Sequence, residues 1–345
     1  MEATVRLSNV KASLLMHVIK SILVPEDVAD LVAREYDRAP HTTCRLLCVN
    51  DNDHYIVKID DAKYLLRVYR NGKPWLAEET AYRFELDWLS FLHARQMPVS
   101  YPIARSNGDT LGLVHAPEGD RRFALFSFAP GRMVYPMDAL QSRRFGEEMA
   151  RIHLASDHFQ TAHTRRHLNA EWLLDRPLAL IRSFLDGRRA ADMSLLDAIA
   201  PSLHEALLAL PTSTPVYGVI GGDFHGTNNF FTDDNQLTFF DFDLCGYGWR
   251  AYDLATFWWA TKLIKDTVMW EAALAGYESV RPLALEERAA LPALVKIRHL
   301  WLMGSHVLCT NHLGDAWLND MYWERHLELL KSFDEEATEL PQINS

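Results

Sequence analysis

The sequence predicts an α+β protein built as two unequal lobes, a small antiparallel β-sheet lobe followed by a larger, mostly helical one. Three observations carry this. Between Cys44 and Tyr69 the runs RLLCV, HYIVKI and KYLLRVY are short and rich in β-branched and aromatic residues. They are separated by NDND and DDA, residues that favour turns. Beyond Met137 apolar residues recur at helical spacing, as in Phe145, Met149 and Ile152. In that second half the clear β signals, VYGVI, NFF and QLTFFDF, all flank one polar stretch, GGDFHGTNN (Gly221–Asn229).

Taken in order, residues 10–38 read as helical, with Pro25 marking a restart and Glu26 and Asp27 suiting a helix N-terminus. The three β runs then form a meander. A long helical pattern follows from Trp75 to Arg95, and MPVSYP ends it because proline cannot continue a helix. Two more strands are expected around LGLVH and RRFALFSF, after which APGR turns the chain out of the sheet. Segments 194–209, 251–280 and 286–312 read as helices. The lobes are therefore expected to be residues 1–128 and 129–345, joined near Ala129–Arg132. A cleft between two lobes is a favoured ligand site.

Bulk properties narrow the function. The 345 residues are 48% hydrophobic and 23% charged, as in a globular protein of one or two domains. A net charge of −11 argues against a broad nucleic-acid-binding face, which needs clustered Lys and Arg. The sign suits a cationic substrate, though acidic cytosolic proteins are common. Cys44, Cys48, Cys245 and Cys309 form no zinc-like array along the sequence. Cys44 and Cys48 share a strand face, which suits half-buried packing in a reducing compartment. His17 and Lys20 interrupt any signal-peptide core, and no run approaches 18 apolar residues. A cytoplasmic protein without membrane or nucleic-acid partners is expected; the sequence carries no signal for an oligomeric state.

The chemistry lies in GGDFHGTNN and FFDFD (Phe239–Asp243). Asp223 and Asn228 fall in a loop directly after a β run, and Asp241 follows the apolar strand LTFF at its polar end. Phosphoryl transfer needs such a set: one carboxylate to orient an attacking hydroxyl, and an amide oxygen with a second carboxylate for Mg²⁺, which prefers hard oxygen ligands. Asp223 is then the base, and Asn228 and Asp241 the metal ligands. A hydrogen-bonded hairpin loop in which Asp and Asn cap their own backbone accounts for the same spacing.

GGDFHGTNN with FFDFDLCGYGWRAYDLA resembles the HGDxHxxN and IDFD…DLA signatures of the aminoglycoside phosphotransferase and choline kinase-like family, relatives of the protein kinases. The resemblance runs along most of the chain. YLLRVYR is similar to the family's third strand, FELDWLSFLHARQMPVSYPI to its first-lobe helix and following strand, and FALFSFAPGR to its hinge. The branch it resembles most contains type II homoserine kinases and a bacterial stress-response Ser/Thr kinase. The resemblance implies a bilobal protein kinase-like fold using ATP and Mg²⁺, with Asp223 as base and Asn228 and Asp241 on the metal. It makes Arg67 the phosphate contact, paired with Glu85 on the helix. The loop Asn50–Asp53, with Asn52, would cover the phosphates, and Phe126 to Ala129, including Phe128, would line the adenine pocket through backbone groups. Asp253 would brace the catalytic loop. His225 either touches the transferred group or hydrogen-bonds within its loop; Asp243 either adds a contact near the metal or ends its strand.

Two positions depart from the pattern. Gly221 stands where the family usually keeps His, and Arg67 where the wider kinase group more often has Lys. Arg forks onto two oxygens and is not interchangeable with Lys. The expected activity is transfer of the ATP γ-phosphoryl group to a hydroxyl of a small molecule, such as an amino alcohol, homoserine or an aminoglycoside. A protein Ser/Thr kinase and a non-catalytic nucleotide-binding pseudokinase are the alternatives. GDFHG also resembles the first block of calcineurin-like metallophosphoesterases, but no GNH[DE] element follows. Acceptor contacts are expected within 135–190 and 255–320. Asp315, Asp320 and Glu324 either meet a cationic amine there or form a solvated helix face.

Overall fold

A computed structural model describes residues 17–38 and 41–335. Its first helix, α1 (Pro25–Glu35), begins at the proline, with Glu26 and Asp27 in the first turn. The helix expected over residues 10–38 is thus shorter. Residues 17–24 are not helical, because the Pro25 ring forces Val24 to extended angles (φ −68°, ψ 131°); residues 10–16 lie outside the described residues.

The sheet comprises β1 (Thr42–Val49), β2 (Asp53–Ile59), β3 (Ala62–Val68), β4 (Gly112–Ala116) and β5 (Gly119–Ser127), antiparallel in the order β1-β2-β3-β5-β4. The Asp60-Asp61 turn joins β2 to β3, with Asp60 at φ 51°, a left-handed angle that Asp tolerates. Side-chain alternation splits the sheet. Tyr55, Val57, Leu66, Val68, Phe123 and Leu125 pack with Val28, Leu31 and Val32 of α1 in one cluster. Tyr69, Ala124 and Phe126 face the other way, into the large core shared with α2 (Glu79–Ala94) and the helical half. The helix expected from Trp75 starts at Glu79, preceded by a 3₁₀ turn at Pro74–Leu76.

Helix α2 joins the two halves. Trp88 meets the Phe242 ring edge-on at 5.4 Å, and Phe84 meets Phe159 at 5.5 Å. Beyond the hinge come α3 (Ala139–Ser156), opened by an Asp138–Gln141 capping box, then α4 (Arg176–Leu185) and α5 (Ala190–Leu208). Two small antiparallel ribbons follow: β6 (Tyr217–Ile220) with β9 (Gly246–Trp249), and β7 (Asn229–Phe231) with β8 (Leu237–Phe239). The helical run expected over 251–280 is two helices, α6 (Arg250–Ile264) and α7 (Thr267–Val280). Lys265 turns left-handed at φ 57° and the Asp266 carboxylate caps the next helix through Met269 N. Helices α8 (Leu285–Leu313) and α9 (Asp320–Glu335) complete the lobe. No helix among the described residues is long and apolar enough to cross a membrane.

Candidate active site

Asp223 and Asn228 sit in the β6–β7 loop, and Asp241 just past β8. Pairing of Asn229 with Phe239, extended by a Phe240 N–H bond to the Asn228 carbonyl (3.1 Å), brings Asn228 beside Asp241 at one ribbon end. The Asn228 amide nitrogen donates to the Asp223 carbonyl (3.1 Å) and Oδ2 (3.3 Å). Its amide oxygen is the group left to meet a cation. Asp241 holds a left-handed φ of 67°, a strained angle of the kind that collects at functional sites. Burial, with Asp243 and Asp223 nearby, pushes its carboxyl up to about 6 against the pull of Arg67. Two hard oxygen donors in a negatively charged corner fit Mg²⁺.

Arg67 is buried and placed as expected. One nitrogen lies 2.7 Å from Glu85 Oε1 and another 3.2 Å from Asp241 Oδ1, while the guanidinium stacks 4.9 Å from the Phe126 ring centroid. Glu85 is fully buried on the inner face of α2. Phe126 pairs with Leu65 in the sheet, and Phe128 follows the end of β5 with Lys63 5.8 Å from its ring. Asn52 is not free in the covering loop: its amide donates to Asp243 Oδ2 (2.9 Å), which also takes a 2.6 Å contact from the buried Lys73. Asp243 therefore ties the β1–β2 loop to the segment between β8 and β9. Lys73, then Arg67 and the Asn52 amide, hold its carboxyl well down despite burial.

The β6–β7 loop is held from behind. Asp253, at the start of α6, accepts Gly221 N–H and Gly222 N–H, each at 2.8 Å, one on each carboxylate oxygen. His153 Nε2 lies 2.9 Å from Asp253, and its Nδ1 lies 2.8 Å from the Tyr277 hydroxyl. This answers the absence of His at 221. A Cβ on Gly221 would come within 2.5 Å of the Phe224 ring, so a side chain there requires that ring to move. The bracing imidazole comes instead from α3. Gly222, at φ 77°, is also required by its backbone.

Asp223 faces a cleft of about 490 Å³ whose lining includes Tyr135, His225, Trp259, Arg298 and Trp301. Arg298, buried on α8 between Trp259 (5.2 Å) and Trp301 (4.9 Å), donates to Asp223 Oδ1 at 2.5 Å. Burial alone would raise the Asp223 carboxyl, but Arg298 and then His225 outweigh it and hold it at about 2. His225 Nε2 lies 3.4 Å from Asp223 Oδ2, and its Nδ1 2.9 Å from the Thr227 hydroxyl.

Sequence reading missed Lys73, Arg165 and Arg298 as site residues. Arg165 bonds the Ala81 carbonyl (2.7 Å) and the Asp243 carbonyl. None of the three lies in a motif; tertiary contacts alone bring them in. His153 was expected to be a satisfied packing residue, which its two hydrogen bonds bear out, yet its partner is the loop brace. Of the two readings for the acidic residues, the solvated one fits: Asp315, Asp320 and Glu324 are exposed and absent from the cleft lining, and Asp320 pairs with Arg189 at 2.7 Å.

This geometry defines a phosphotransferase of the bilobal protein kinase-like class. The chain belongs to the phosphotransferase enzyme family (APH), whose model matches residues 48–291. Over 320 residues it is 32% identical to an uncharacterised protein of Synechocystis, covering 91% of this chain and 86% of that one. It is 29% identical over 252 residues to a homoserine kinase of Xanthobacter autotrophicus, covering 71% and 74%. Among solved structures, a microcompartment-associated aminopropanol kinase superposes with TM-score 0.72 at 23% identity, covering 91% of this chain and 96% of that one. The amicoumacin kinase hAmiN, in complex with AMP-PNP, Ca²⁺ and Ami, superposes with TM-score 0.69 at 19% identity, covering 90% and 92%. Those structural likenesses establish the fold.

Proposed function

We propose that this protein transfers the γ-phosphoryl group of ATP, with Mg²⁺, to a hydroxyl of a small acceptor such as an amino alcohol or a homoserine-like hydroxy amino acid. The observation that carries it is Asp223, ionised and oriented at the wall of the 490 Å³ cleft, with Asn228 and Asp241 beside it. Residues 1–128 form the nucleotide lobe of this reading, residues 129–345 the catalytic lobe, and the cytoplasm its compartment.

Asn228 and Asp241 would hold Mg²⁺, which neutralises charge on the nucleotide phosphates. Arg67, fixed by Glu85, forks onto phosphate oxygens; the Asn50–Asp53 loop closes over them, and the chain around Phe126 and Phe128 receives the base. Arg298 anchors Asp223 Oδ1, leaving Oδ2 to orient the acceptor hydroxyl and take its proton late in the transfer. His225, within reach of the same oxygen, helps position the incoming phosphoryl group. Catalysis is mainly placement and charge complementarity. The homoserine kinase relative and the aminopropanol kinase neighbour both support a small acceptor, as does a cleft of this volume.

The test pairs an acceptor screen (homoserine, aminopropanol, choline, aminoglycosides, a generic protein substrate) with Asp223→Asn. Transfer should fall by about 10²–10⁴ in the variant while nucleotide affinity stays within a few-fold. Near-normal turnover in Asp223→Asn, or transfer to protein alone, overturns the reading.

A further inference from the structure

A second group of metal-ligating side chains lies at the mouth of the cleft. Asp51, from the β1–β2 loop, meets Cys309 and His312 of α8, and one donor atom from each lies within 4.8 Å of the other two. The Cys-x-x-His spacing places thiol and imidazole on one helix face. Helix α8 ends at Leu313, so both stand in its last turn, where unpaired carbonyls and the helix dipole favour a cation. Cys309 and His312 are half-buried, and the Asp51 side chain is 46% exposed. A metal can reach the group from solvent.

The donor types choose the ion. Magnesium and calcium take oxygen ligands, whereas thiolate with imidazole and one carboxylate is a borderline-soft set suited to Zn²⁺. Zinc bonds of about 2.0–2.3 Å place tetrahedral ligand atoms roughly 3.5 Å apart, so the three donors need close by only about an ångström. Three protein ligands leave a fourth position for water. Opposing this, Arg70 lies 3.2 Å and Lys73 3.8 Å from Asp51. Lys73 is bound more closely to Asp243, at 2.6 Å, so the contact zinc must displace is that of Arg70. Binding displaces one proton, from the Cys309 thiol to solvent, as the sulfur–zinc bond forms.

We propose that Asp51, Cys309 and His312 form a zinc-binding latch that ties the β1–β2 loop to α8 across the cleft. The loop is the one whose next residue, Asn52, already bonds Asp243. Asp51 and Cys309 also line the acceptor cleft. A bound ion therefore fixes the loop in its closed position and narrows acceptor entry, making zinc an inhibitory ligand distinct from the Mg²⁺ pair at Asn228 and Asp241.

The experiment uses the full chain without nucleotide or acceptor, so its outcome is separate from that of phosphoryl transfer. Equilibrium dialysis against Zn²⁺ in excess Mg²⁺ should show one zinc per chain, weakened at least tenfold in Cys309→Ser and in His312→Gln. Co²⁺ in its place should give a thiolate charge-transfer band that Cys309→Ser abolishes. Cys48, whose sulfur lies 3.7 Å from His54 Nδ1, supplies the control: Cys48→Ser and Asp241→Asn should keep the zinc. Hydrogen exchange of the Asn50–Asp53 amides should slow on zinc addition in the unmodified chain. No stoichiometric zinc, retention by both Cys309→Ser and His312→Gln, or loss in Cys48→Ser overturns the site. Zinc bound with unchanged loop exchange overturns the latch. If one variant fails to fold, judged by its zinc-free thermal transition, the other decides.

Discussion

The two loops that meet at the cleft are held by different physics. The β6–β7 loop, Gly221–Asn228, is fixed by hydrogen bonds to its own backbone: Asp253 receives two N–H groups, and His153 and Tyr277 stand behind it in the core. The covering loop, Asn50–Asp53, is held by charge. Lys73 and Asn52 converge on Asp243, and Arg70 reaches Asp51. A backbone-directed brace fixes geometry whether or not substrate is present, which suits preorganised catalysis. A cluster of ions instead depends on every partner being present, so losing one loosens the loop.

The largest effect should come from breaking the charged cluster. Lys73→Met leaves the Asp243 carboxylate buried without its cation, and removing one partner of a buried pair costs about 3–5 kcal/mol. Urea unfolding should show a loss of that order; a loss under about 1 kcal/mol would mean that Asn52 and water suffice for Asp243. Next comes the brace. Asp253→Asn presents an amide donor to one of the glycine N–H groups, so the loop shifts while its surroundings stay packed. Turnover should fall about 10²-fold, the usual consequence of misplacing a reacting group by an ångström, with nucleotide affinity nearly unchanged. Equal losses in both parameters would show that the brace supports the whole lobe and not the loop.

How much of this was legible in the sequence follows the same division. The strands and most of α2 lie where local pattern puts them, whereas the meeting of Arg67 with Glu85 and of Asn228 with Asp241 joins separate elements and follows the motif rather than any local period. The start of α1 was overextended because periodicity alone does not register the restriction that Pro25 places on Val24. The Gly221 substitution posed a question that no local pattern could answer. Its solution lies 68 residues earlier in the chain, at His153, and reaches the loop only through Asp253. Arg298 was equally invisible: on α8 it reads as one more helical arginine, and only the packing of α8 against α6 turns it toward Asp223.

Arg298 also offers the finest test of the preorganised side of the comparison. Asp223 has a depressed carboxyl, held at about 2, so it is ionised throughout the working range and loses its charge only as pH falls through that value. The stability it contributes is likewise fully present above the unfolded carboxylate range, near pH 4, and is lost progressively as pH falls from there through about 2. Arg298→Gln removes the main opposing charge and leaves burial, which raises the carboxyl, countered by His225 and the Asn228 amide. The base should then protonate at a higher pH. At pH 8 turnover should stay within a few-fold of the parent. On acidification kcat/KM should fall further than in the parent, whose own acid limb is set by Asp241, raised to about 6. Coincident pH profiles for the two proteins would show that Arg298 serves the cleft wall and not the charge of the base. A displaced limb would show that the residue most hidden in the sequence sets the ionisation of the most conspicuous one.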